Sequence, residues 1–169
     1  RLIAPSFGGI NLEDISAPRC FEVEESLQDL GIPVFHDDQH GTAIVLLAAL
    51  INSSKITGQS LGSMSVIING SGAAGIAIAK LISGVSSDNQ ELEAVADVIV
   101  CDSKGAISGD RTDLNSEKQK LLEFTNKKNV SGSVKKVLQG ANVFIGVSKG
   151  NVISAKDVQK MAKDPIILA

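Results

Sequence analysis

The sequence predicts a doubly wound α/β domain with helices on both faces of a parallel sheet, preceded by a mainly helical N-terminal segment. Three observations carry this. Residues 65–69, 95–101, 141–147 and 165–168 are short runs, apolar or β-branched almost throughout, as strands buried on both faces are. Stretches of helical pattern separate them, and that alternation implies parallel strands joined by crossovers. A glycine-rich turn follows the first of these strands and opens a helix. The organisation expected is an N-terminal segment over residues 1–60 and a dinucleotide-binding unit over 61–169.

Each element has its own local signal. Residues 17–31 read as a helix: Pro18 suits a first turn, Val23, Leu27 and Leu30 recur at helical spacing, and Gly31 supplies the stop. Residues 32–35 form a short apolar strand, followed by the polar cluster His36-Asp37-Asp38-Gln39-His40-Gly41. Residues 42–54 are apolar nearly all round, which predicts a buried helix. Residues 73–83 continue from the glycine turn as a helix, and 84–94 form a polar, enlarged connection before the strand closed by Asp102. An exposed helix is expected over 115–128, a short one over 133–139, and a capped one over 154–163.

Composition narrows the function classes. The 169 residues carry 16 Lys+Arg and 19 Asp+Glu, a formal net charge of −3, with 43% apolar and 21% charged residues. That apolar fraction is too high for a disordered chain. The longest apolar run, from Ala43 to Ile51, has nine residues, half of what a membrane span needs. The near-neutral balance argues against a broad nucleic-acid surface. Two cysteines, Cys20 and Cys101, cannot build a disulfide framework and both lie in apolar contexts, so they read as core residues in a reducing, cytoplasmic setting. There is no Trp and no Tyr. The start at Arg1 and the apolar strand at the very end read as a piece of a longer polypeptide.

Asn69-Gly70-Ser71-Gly72-Ala73-Ala74-Gly75 fits the G-x-G-x-x-G fingerprint. Gly70 permits the tight turn, Gly72 lets a pyrophosphate approach the backbone, and Gly75 lets helix and strand pack closely. The free N–H groups of the helix N-terminus would face the phosphates. Asp102, 27 residues after Gly75, ends the next strand, where an acid accepts hydrogen bonds from an adenosine ribose. It would also repel a 2′-phosphate, which favours NAD; Lys104, two residues on, is able to reach such a phosphate, so NADP stays open. Together these features predict a Rossmann-like unit.

Glu13-Asp14 and Asp37-Asp38 are acidic pairs beside apolar segments. Converging, they would supply the hard oxygen ligands of Mg²⁺ or Mn²⁺; apart, they would be solvated turns or helix caps. His36 and His40 have the i, i+4 spacing of a zinc pair, but no third soft ligand is near, so they read as polar lining. No Lys-Ser/Thr pair follows the glycine turn as a P-loop requires, and no G-x-S-x-G elbow is present.

The string Phe7-Gly8-Gly9-Ile10-Asn11-Leu12-Glu13-Asp14-Ile15, followed by Pro33-Val34-Phe35-His36-Asp37-Asp38-Gln39-His40-Gly41-Thr42-Ala43, closely resembles the bacterial-type malic enzymes. N-G-S-G-A-A-G at 69–75, V-C-D-S-K-G at 100–105 and F-I-G-V-S at 144–148 resemble them too, in order along the chain. The resemblance implies metal-dependent oxidative decarboxylation of malate to pyruvate and CO₂ with reduction of NAD or NADP. It places the Mn²⁺ or Mg²⁺ ligands at Glu13, Asp14 and Asp38, with Asp37 beside them in the cleft. It places the cofactor at Asn69–Gly75 and Asp102, with Val147 and Ser148 near the nicotinamide half. It also implies a homo-oligomer, a dimer or larger. The family's Tyr general acid and Lys general base come from an N-terminal domain whose motifs are not in this chain, nor is the Asn-Pro segment expected just beyond 163–169. The chain alone is therefore expected not to turn over malate. A non-catalytic NAD-binding module and a malolactic enzyme, which keeps NAD through its cycle and releases lactate, are the competing readings.

Overall fold

The structure is a computed structural model that describes residues 1–85 and 93–169. In chain order the elements are β1 (Ile10–Leu12), α1 (Arg19–Glu25), β2 (Val34–His36), a π-helical turn (Asp37–Gly41), α2 (Thr42–Thr57), β3 (Ser65–Asn69), α3 (Ala73–Ile82), β4 (Asp97–Asp102), β5 (Gly105–Ala106), α4 (Ser116–Leu121), α5 (Val134–Val137), β6 (Val143–Gly146), α6 (Ala155–Val158) and β7 (Ile166–Leu168). The main sheet has the order β5-β4-β3-β6-β7. Three of its pairings put β4, β3, β6 and β7 in parallel, and among the described strands only the two-residue β5 runs against its neighbour.

Alternation along the strands explains both cores. Val66, Ile68, Val98, Val100, Val143 and Ile145 point to one face, where Ala43 and Leu50 of α2 and Ile76, Ile78 and Ile82 of α3 cover them. Ile67, Ile99, Cys101 and Phe144 point to the other, against Val137, Leu138 and Met161. Each fully buried aliphatic side chain contributes about 1.5–3 kcal/mol. A sheet covered on both faces cannot alternate polar and apolar residues, which is why its strands were readable as uninterrupted apolar runs. The strand order reverses between β3 and β6, and open α/β sheets bind ligands at the carboxyl ends of the strands at such a point.

Several expectations need correction. The N-terminal segment, mainly helical as expected, also holds a two-stranded parallel sheet of its own, β1 beside β2, with Leu12 opposite His36. The helix expected over 17–31 ends at Glu25. Beyond it the backbone bonds tighten to three-residue turns, Leu27 N–H to the Glu24 carbonyl and Leu30 N–H to the Leu27 carbonyl. The helix expected over 115–128 likewise stops at Leu121, and Asn126, at φ +50°, turns the chain by bonding the Ile107 and Val130 carbonyls. The helix of 42–54 extends to Thr57 but is not buried all round: Ile44, Val45 and Ile56 are exposed. It packs on α3 by one side, and among the described residues nothing covers the other. Most of the 84–94 connection lies outside the described residues. No described helix is long and apolar enough to cross a membrane.

Candidate dinucleotide-binding site

The glycine turn sits at the carboxyl end of β3, the central strand. Gly70 has φ +136°, and a Cβ there would come within 2.9 Å of the Val147 carbonyl oxygen, so the turn and the end of β6 touch backbone to backbone. A Cβ on Gly75 would land on the Gly70 carbonyl, which makes this glycine a packing requirement of the turn itself. Gly72 differs: a Cβ there would have nothing within 4 Å. Its empty position faces the space a ligand would use. The first intrahelical bond of α3 runs from Ile76 N–H to the Gly72 carbonyl at 3.0 Å, and no side chain caps the helix. The N–H groups ahead of Ile76 are therefore unclaimed by the helix, at its positive end.

A cleft of about 790 Å³ opens over this turn. That volume suits a cofactor-sized ligand. Asn69–Gly72 form its floor, Val147 and Ser148 one side, and Asp102 and Lys104 the other. Pro18 and Phe21 close it from α1. Of the residues expected at the cofactor, Asn69, Gly70, Ser71, Gly72, Asp102, Val147 and Ser148 meet around this one space. Ala73, Ala74 and Gly75 sit behind it in the first turn of α3.

Asp102 is not the free acceptor that its place after β4 suggested. Its Oδ1 accepts from Arg111 Nη1 and from the Lys104 backbone N–H, both at 2.9 Å. Its Oδ2 accepts from Arg111 Nη2 at 2.9 Å and Lys118 Nζ at 2.6 Å. Asp113 completes the cluster, taking Arg111 Nε at 2.9 Å and Lys104 Nζ at 2.7 Å. Burial pushes the Asp102 carboxyl up, but hydrogen bonds from Arg111 and Lys118 overcome this and hold it at about 2. The Arg111 and Lys104 donors hold Asp113 below the ordinary carboxylate range. Three cations thus share the two carboxylates of this cluster. Burial pushes the neighbouring Cys101 thiol up to about 12, so it stays protonated at neutral pH, consistent with a core role.

The acidic pairs follow β1 and β2, whose parallel register sets them side by side. Asp14, at φ +57°, donates its backbone N–H to Asp38 Oδ2 at 3.0 Å. Glu13 is instead reached by Asn11 Nδ2 at 3.4 Å, and the Asp37 carboxylate lies over Gly41. Among the described residues, no three His, Cys, Asp or Glu side chains are gathered so as to hold a cation. The Asp14 backbone is thus tied to the Asp38 carboxylate, but the three expected ligands Glu13, Asp14 and Asp38 do not converge into a cation site among the described residues. The histidines do not pair: His36 is fully buried with both ring nitrogens unpartnered, and His40 lies against Glu24.

The family model described as "Malic enzyme, NAD binding domain" matches residues 39–169. The chain belongs to the malic enzyme family. It is 50% identical, over its whole length, to the bifunctional malic/malolactic enzyme of Bacillus subtilis, of which it spans 40%. It is 41% identical to an NADP-dependent malic enzyme of Halomonas elongata, covering 99% of this chain and 37% of that one. Among solved structures, the NAD-dependent malic enzyme of Thermotoga maritima superposes with a TM-score of 0.90 at 40% identity, over 98% of this chain and 43% of that one. The chain therefore spans well under half the length of these malic enzymes, and the match reaches back through α2 to the Asp37–Gly41 turn. The cation cluster is the part of the site that sequence reasoning missed. Arg111, Asp113 and Lys118 lie 9 to 16 residues beyond Asp102 with no motif to mark them.

Proposed function

We propose that this chain is the dinucleotide-binding part of an enzyme that oxidatively decarboxylates malate to pyruvate and CO₂ while reducing NAD or NADP. The observation that carries the reading is the cleft over the glycine turn, with an open Gly72 position and unclaimed helix N–H groups where the sheet order reverses. The bound nicotinamide would accept the hydride from malate C2. This chain's part is to hold and orient: the backbone from Ser71 to Ala74 takes the diphosphate, and Val147 and Ser148 border the nicotinamide half. Asp102, its oxygens already shared among Arg111, Lys118 and the Lys104 N–H, anchors the cluster that borders the adenosine ribose.

NAD is proposed as the acceptor, with NADP admitted. Asp102 alone would repel a 2′-phosphate, but here its charge is matched by Arg111 and Lys118 with Lys104 alongside. Both cofactors occur in the names of the relatives. A requirement for Mn²⁺ or Mg²⁺ belongs to the proposal through the hard oxygens of Asp14 and Asp38, with Glu13 included on its motif alone; no catalytic step is routed through a cation. Asp37 is proposed as cleft support. A cytoplasmic setting and a homodimeric whole protein complete the reading.

The test is parallel titration of the chain with NADH and NADPH, followed by assay with malate. Saturable binding of NADH, tighter than NADPH, is expected, without turnover, because no Tyr is present to serve as the general acid. Malate-dependent NADH formation by this chain alone would contradict the assignment of acid–base chemistry to other parts of the enzyme. Malolactic chemistry is the second reading, favoured by the 50% identity to a bifunctional enzyme. Lactate rather than pyruvate as product of the whole protein would establish it.

A further inference from the structure

Glu24 sits half-buried in a polar knot that the site described above does not use. It lies on α1, and its Oε2 accepts from Gln39 Nε2 at 2.9 Å while its Oε1 lies 2.6 Å from His40 Nε2. Only 14% of its side chain is exposed and Gln39 is buried, so the bond to Gln39 is partly sheltered from water, while His40, 46% exposed, closes the knot from the solvent side. The His40 ring also leans on Phe35 of β2, with ring centroids 5.7 Å apart. Among the described residues, Glu24 makes the side-chain hydrogen bonds that join α1 to the Asp37–Gly41 turn. The segment around α1 simultaneously presents Pro18 and Phe21 to the cleft over the glycine turn. A helix of seven residues does not hold itself in place, so its position depends on such ties.

We propose that Glu24 is a positioning residue for the dinucleotide cleft: by pinning α1 to the Asp37–Gly41 turn it holds Pro18 and Phe21 as the cleft's apolar wall. The proposal rests on reading that cleft as the dinucleotide site. A wall already in place spares the cofactor the cost of ordering it on binding. The same tie makes the acid-bearing turn and the cofactor wall move as one piece.

The test uses the 169-residue chain, with Glu24→Ala, Glu24→Gln and His40→Ala, and reads the NADH dissociation constant by fluorescence. Amide hydrogen exchange over 19–25 and 37–41 and thermal melting are measured on the same samples. Glu24→Ala is expected to weaken NADH binding about tenfold and to raise exchange in both segments together. Glu24→Gln, which keeps one acceptor oxygen, is expected to recover most of the affinity. A purely structural role would lower the melting temperature and leave the affinity of the folded protein unchanged. If Glu24→Ala fails to fold, His40→Ala carries the comparison, with about threefold weaker binding expected. A folded variant that binds NADH as the parent does overturns the proposal alone. A parent chain that binds no NADH overturns the dinucleotide reading, and this proposal with it.

Discussion

Gly72 and Gly75 look alike in the fingerprint, yet the structure gives them opposite jobs, and substituting alanine separates the two. At Gly72 the new methyl group meets nothing within 4 Å, and the backbone lies at φ −86°, which any residue adopts. Alanine is a poorer helix N-cap than glycine, a cost of about 0.5–1 kcal/mol. It also restricts the unfolded chain, a gain of about 0.4–1 kcal/mol. The two nearly cancel, so the melting temperature should shift by no more than about 2 °C. The methyl group would, however, stand where a diphosphate must approach the N–H groups. Losing one or two charge-assisted hydrogen bonds, at about 1.5–3 kcal/mol each, weakens binding roughly ten- to a hundredfold or more. At Gly75 the methyl would strike the Gly70 carbonyl instead, an overpacking that costs about 1–3 kcal/mol and lowers the melting temperature by about 2–12 °C. Calorimetry and NADH fluorescence titration on both variants make the comparison. Gly72→Ala that binds NADH normally, or that melts as early as Gly75→Ala, would refute the division of labour.

Three further outcomes follow from the cation cluster and the core. Arg111→Ala strands the nearly buried Asp102 carboxylate with Lys118 as its remaining charged partner, so urea melts should show a loss of about 3 kcal/mol, and an unchanged midpoint would dismiss the cluster as structural. Because Asp102 titrates at about 2 when folded, below the ordinary 3.8, it stabilises the fold above about pH 4. That stability, about 2 kcal/mol, is lost as the pH falls toward 2; Asp102→Asn should flatten the slope in acid urea melts, and an unaltered slope would contradict the ion pairing. Cys101, fully buried and with its thiol pushed up to about 12, should resist a disulfide reagent in the folded chain and react once denaturant is added.

What was legible in the sequence was whatever a local pattern repeats. β3, β4 and β6 announced themselves because both their faces are covered, and the turn at 69–75 did so because each glycine answers a separate steric demand. What was illegible depends on partners far along the chain. β1 and β5, at three and two residues, are too short to show any period, and only pairing with β2 and β4 makes them strands. Asp102 was found, but not the state of its carboxylate, because Arg111 and Lys118 arrive from a loop and a later helix. Glu24 is one of several acids in its helix, and nothing near it in sequence points to Gln39 and His40. Residues 42–54 misled because an apolar composition states how much surface could be covered, without saying whether a neighbour covers it.

Backbone amide NMR of the chain during addition of NADH tests the central assignment most directly. Saturable shifts concentrated at residues 70–75, 102–104 and 147–148, with 17–21 following as the wall of the cleft, are the predicted result. Shifts confined to other surfaces, or none at cofactor concentrations that saturate ordinary dehydrogenases, would contradict it.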